Sequence, residues 1–130
     1  MPGPIVWLVA ALLLAPPAWA AEGDAPETAV TGELVDVKCY ATMGLRGAIH
    51  QECAVKCAKE HWPVGVLEET SERLYPLVVP SAAVADAMGQ RVRVTGTVAL
   101  GGVWLLPSRL EVEREGVWAD VVLPSLTETP

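Results

Sequence analysis

Apolar residues recur at every second position along most of this chain and at every third or fourth position in one stretch, and that contrast predicts its elements. From Val30, VTGELVDVKCY alternates Val30, Gly32 and Leu34 with Thr31, Glu33 and Val35, and Val37 and Cys39 are expected to carry the strand on. MGLRG (43–47) contains two glycines and predicts a loop. AIHQECAVKCAKEH (48–61) consists of good helix formers and ends at Trp62-Pro63, where proline cannot continue a helix. VGVLEE (64–69) and RLYPLVVP (73–80) predict two strands joined by the polar turn Glu69 to Glu72, with Pro76 making the second an edge strand or marking a bulge. Ser81 stands where it can N-cap a short helix, SAAVADAM, that Gly89 ends. QRVRVTGTVAL and VWLLPSRLEVER then alternate strictly on either side of Gly101-Gly102, the signature of a β-hairpin. The apolar piece VWADVVL predicts a further strand or a cover for the open end of the core.

Short strands in this number, with one helix early and one before the last hairpin, predict a mainly β domain. The expected form is a small OB-like five-stranded antiparallel barrel with an inserted cysteine-bearing helix, a β-sandwich being the alternative. The usual helix of such a barrel lies between its third and fourth strands, where Ser81 to Met88 falls. The cysteine helix is then an insertion between the first and second strands, a loop position that borders the binding face in such barrels.

The N-terminus changes what the composition means. Residues 1–20 carry an apolar run from Ile5 to Ala15, then Pro16-Pro17, then Ala18-Trp19-Ala20, an A-x-A pattern that predicts a signal peptide cleaved after Ala20. The run is too short for a comfortable membrane span, which takes about 20 apolar residues, so no stable span is expected after cleavage. Residues 21–29 form a polar, flexible leader, 30–123 a single domain and 124–130 a frayed tail. The expected location is periplasmic or secreted. The signal peptide removed contains no charged side chain, so the net charge of −7 belongs to the mature chain. An acidic surface whose basic residues cluster no further than Arg91 and Arg93 argues against nucleic acid as a partner. Trp62, Trp104 and Trp118 are expected in the core, because a chain with no Phe draws its large apolar volume from other residues.

The chemistry concentrates between Asp36 and Pro63, which hold all three cysteines and both histidines. At about 100° per residue, His50, Cys53, Cys57 and His61 share one helical stripe about 80° wide. Cys39 is brought back toward them by the Gly-containing loop. The candidate metal ligands are therefore Cys39, His50, Cys53 and Cys57, with His61 and Met43 within reach and Asp36 placed to hydrogen-bond a ligating histidine or simply to end the strand. Thiolates and imidazole select Zn, Cu or an iron–sulfur centre over Mg²⁺ or Ca²⁺. The spacing C-x10-H-x2-C-x3-C matches no standard zinc-finger or ferredoxin pattern and is not the C-x-x-C-H of haem attachment. Two other readings stay open. In an oxidising compartment Cys39 can bridge one of the helix cysteines, leaving the other as a buried hydrophobe; or the thiols can act in redox exchange. His61, at the helix end, also reads as a C-terminal cap. No G-x-S-x-G, phosphate cradle or paired carboxylates point to catalysis.

The run GELVDVKCY, then H-x-x-C-A-x-x-C-A, WPVGVL, a Tyr-containing strand and GQRVRVTGTV resembles a group of small exported bacterial OB-like proteins of unassigned function. These carry a D-x-x-C strand end, a C-x-x-x-C helix and a closing V-x-V-x-G strand. The resemblance covers Val30 to about Val112, and it implies an OB-like fold and importance for Asp36, Cys39, His50, Cys53 and Cys57, but no reaction. Other members have a longer Gly-containing stretch after the first Cys than the compact ATMGLRG present in this chain. Together these features predict an exported small binding protein that uses its Cys/His cluster for a soft metal or metal cofactor, as a carrier or electron-transfer accessory rather than an enzyme. The alternative is a disulfide-stabilised module without metal that binds a protein partner in the cell envelope.

Overall fold

The computed structural model describes Met1, Gly3 and residues 26–99 and 101–126; the expected signal peptide and most of the leader and tail lie outside the described residues. Strand β1 (Thr28–Asp36) is followed by helix α1 (Val37–Met43), a 3-10 turn (Ala48–His50) and helix α2 (Gln51–Lys59). Strands β2 (Val64–Glu68) and β3 (Leu74–Pro76), a 3-10 segment (Ser81–Ala87), then β4 (Arg91–Val98), β5 (Leu105–Arg114) and β6 (Val117–Val121) complete the order. The alternation seen in the sequence becomes one antiparallel six-stranded sheet in the order β3-β2-β1-β4-β5-β6.

β1 is central because it pairs on both sides. Leu34 faces Val66 of β2 and Val30 faces Val94 of β4. Gly32 pairs with both neighbours, and a Cβ there would stand 1.9 Å from the Leu67 carbonyl oxygen, so only glycine lets the backbones approach where the sheet coils. The far end of the sheet then returns. Leu77, just past β3, forms a parallel bridge with Leu105 of β5, and the Val78 N–H donates to the Leu105 carbonyl at 3.0 Å. This contact brings the end of the β3 segment onto β5 and gives the sheet its OB-like, barrel-like closure, with the 3-10 segment between the third and fourth strands as in that architecture. The expectation of five strands is exceeded by one: VWADVVL supplies β6, which pairs with β5 from Leu110↔Val121 to Arg114↔Val117.

Leu34, Val66, Val92, Val94, Leu105 and Leu110 are fully buried, each such side chain contributing roughly 1.5–3 kcal/mol by leaving water. Val84 and Met88 add to this core from the 3-10 segment and its end, and Ala54 and Ala58 from α2. The small residues of α2 let it lie close, and the Gln51 side-chain amide donates to the Met88 carbonyl at 3.1 Å.

Several local expectations are corrected. The first strand begins at Thr28, two residues into the expected leader, and stops at Asp36, so Val37 and Cys39 are helical. Asp36 causes the change: its Oδ1 accepts from the Cys39 N–H at 3.1 Å, an N-cap that starts a helix where period-two alternation would have continued the strand. Gly44, at φ 66°, ends α1. Ser81 does not cap the later helix; Pro80 precedes a 3-10 segment with no side-chain cap. Trp62 and Trp104 are 43% and 42% exposed, and Trp118 lies under the guanidinium of Arg93 at 4.5 Å rather than in the core. Aliphatic side chains supply the core volume instead.

Candidate metal centre

Asp36 is held from two directions. As the last residue of β1 it pairs with Val64, and as the N-cap of α1 it accepts from Cys39 through Oδ1. It is 1% exposed, and its second oxygen, Oδ2, has no hydrogen-bond partner. The cap places Cys39 in the first turn of α1, three residues on, where its thiol lies near the same carboxylate.

The other side of the centre comes from α2. A loop pinned to β1 by Glu33, which accepts from the Gly47 N–H and pairs with Arg46, leads into the 3-10 turn; the His50 N–H donates to the Gly47 carbonyl at 3.1 Å. His50 is buried, and its Nε2, 3.9 Å from Asp36 Oδ2, also lacks a hydrogen-bond partner. The crevice these two residues share with Leu45, Gly47 and Ala54 has no room for a water molecule. Cys53 and Cys57 follow at one-turn spacing along α2, Cys53 exposed and Cys57 buried.

The donor atoms form two overlapping sets. Those of Cys39, His50 and Cys53 all lie within 4.8 Å of one another, and so do those of Asp36, Cys39 and Cys57. Cys39 belongs to both. The four ligands expected from sequence are thus gathered in one region, with Cys57 on the Asp36 side. Sequence reasoning gave Asp36 only a supporting role; its D-x-x-C spacing was the available signal, since an N-cap bonds the amide three residues on. Met43 is 60% exposed at the end of α1. His61 is not brought to the centre. α2 ends in a Schellman turn, with Trp62 N–H donating to the Cys57 carbonyl and His61 N–H to that of Ala58, both at 3.0 Å, and His61 at φ 67°. That reversal takes it off the helical stripe, to an open apolar cleft shared with Leu77, Val79 and Trp104.

All three cysteines are free, so the bridge between Cys39 and a helix cysteine, the alternative reading of the sequence, is not formed. Burial pushes the Asp36 carboxyl up, but the Cys39 and Cys57 thiols, the Cys39 N–H and Lys38 together hold it below the ordinary aspartate range. Close contact with the Asp36 carboxylate, and then burial, raise the Cys39 thiol. Burial, and then Asp36, push the Cys57 thiol up to about 12. An ionised carboxylate and protonated thiols thus share one buried site, a balance that a bound cation inverts by stabilising the thiolates.

No protein family, curated protein or solved structure matches the chain. No helix among the described residues is long and apolar enough to cross a membrane.

Proposed function

We propose that this chain is a small exported binding protein that holds one soft metal ion in the cluster of Asp36, Cys39, His50, Cys53 and Cys57, as a carrier or electron-transfer accessory. The observation that carries this reading is the pair of buried, unpartnered polar atoms, Asp36 Oδ2 and His50 Nε2, set beside the cysteine thiols. A buried polar atom without a partner costs roughly 1–3 kcal/mol, and a metal ion held in either donor set satisfies a carboxylate or an imidazole together with two thiolates. The compact donor spacing favours a single ion over an iron–sulfur cluster. Ligands about 2.0–2.3 Å from one centre stand no more than about 4.6 Å apart, whereas a cluster spreads its thiolates around several irons. Zn²⁺ and Cu⁺ suit thiolate with imidazole. The likeness to small exported OB-like proteins belongs to the same proposal.

The test is to express residues 21–130 in a bacterial periplasm and measure metal content and free thiols on one native sample. One equivalent of Zn or Cu without a disulfide is the expected result. A metal-free sample with one disulfide and one free thiol would overturn the reading and return the cysteines to the structural role of the alternative.

A further inference from the structure

Resting on that reading, we infer that the centre has two positions for its ion: an outer one on Cys39, His50 and Cys53, where the ion is captured and surrendered, and an inner one on Asp36, Cys39 and Cys57, where it is retained. Two observations carry this. The donors fall into two three-membered sets that share Cys39 alone, and the sets differ in access. Every member of the inner set is buried, while the outer set includes the exposed Cys53. Asp36 and His50, the residues that carry the unpartnered atoms, belong to different sets, and their Oδ2 and Nε2 lie 3.9 Å apart. An ion can therefore pass between the sets over a short path while Cys39 stays bound.

In that passage the ion loses His50 and Cys53 and gains Asp36 and Cys57. Cys57 gives up its thiol proton on binding, and Cys53, released as a thiolate at the surface, takes one up, so no net proton or electron is exchanged. Cys53 becomes the ligand that an acceptor replaces first. The partner class this fits is a protein or small molecule offering its own thiolate or imidazole to an ion on the Cys53 side.

The experiment loads the mature chain with one equivalent of Zn²⁺ and challenges it with excess chromogenic chelator, either immediately or after incubation. In the wild type, release is expected to be fast at once and at least about tenfold slower after incubation. Cys57→Ser should release rapidly at every age. Cys53→Ser should load more slowly yet hold its ion with the slow rate. Cys39→Ser should lose both behaviours. A single age-independent rate in the wild type, or equal loss of binding in Cys53→Ser and Cys57→Ser, would overturn the two-position inference while leaving a one-position metal site standing. A wild type that binds no Zn²⁺ or Cu⁺ would remove the metal reading itself. The age dependence is measured on the unmodified chain, so a variant that fails to fold does not decide the outcome.

Discussion

Asp36 Oδ2 and His50 Nε2 face each other at 3.9 Å inside the protein, and neither has a hydrogen-bond partner. The separation is too long for a hydrogen bond, so each atom is left free to take an ion held with Cys39. Asp36 is already engaged through Oδ1 in capping α1, so one carboxylate both starts a helix and offers an oxygen to the centre.

These two roles are separable by substitution. Asp36→Asn keeps a capping oxygen and is expected to retain most stability, but to weaken Zn²⁺ binding by at least the about 10–100-fold that losing an outer-shell carboxylate costs, because Asp36 is itself a ligand in the proposed site. Asp36→Ala loses the cap as well and should cost a further ~0.5–2 kcal/mol of folding stability. Chelator competition and urea unfolding on both variants check this; indistinguishable behaviour of the two would show that the cap contributes nothing.

The three thiols should differ in reactivity. Cys53 is exposed, whereas Cys39 and Cys57 are buried with pKa values raised by Asp36 and burial, and only the thiolate attacks an alkylating agent. Iodoacetamide at pH 8 on the native, metal-free chain is expected to modify Cys53 alone, with the other two reacting once urea is added. Peptide mass mapping reads the result; Cys57 labelled as fast as Cys53 would contradict the buried arrangement.

Gly32 should tolerate no side chain. Its Cβ would meet the Leu67 carbonyl oxygen at 1.9 Å, and that of Gly96 would meet the Leu106 carbonyl oxygen at 2.2 Å. In both cases the obstacle is backbone. Gly32→Ala and Gly96→Ala are each expected to destabilise the fold by at least roughly 1–3 kcal/mol, seen as a lower urea midpoint with unchanged slope.

Acid should weaken the sheet. Arg93 holds Glu111 through two hydrogen bonds at 2.8 and 2.9 Å, and Arg109 holds Asp120 at 2.7 Å. These guanidinium contacts keep both carboxyls below their ordinary values of 4.5 and 3.8. A carboxyl whose folded pKa is depressed stabilises the fold above its unfolded value and loses that contribution as pH falls through the folded one. The urea midpoint is therefore expected to hold from pH 7 to about 5 and to decline below about 4.5, with a shallower decline in Glu111→Gln. A midpoint constant down to pH 3 would show that the network contributes nothing.

The amino-acid sequence by itself determined the mainly β character, the hairpin of β4 and β5, the edge-or-bulge choice at Pro76 and the one-turn spacing of Cys53 and Cys57 on α2. These follow from periods of two and 3.6 residues, which are properties of neighbours along the chain. Tertiary structure decided the rest. Whether Val37 and Cys39 extended the strand or began a helix turned on the Asp36 cap, a competition that alternation does not register. The burial of the tryptophans turned on which face aliphatic side chains had already filled. The partition of the ligands depended on where β1 and α1 place Asp36 and Cys39 relative to α2, because these two residues approach the helical stripe from a separate segment. Helical spacing fixes angles around one axis, whereas the distance between two segments is set by packing of the barrel that holds both.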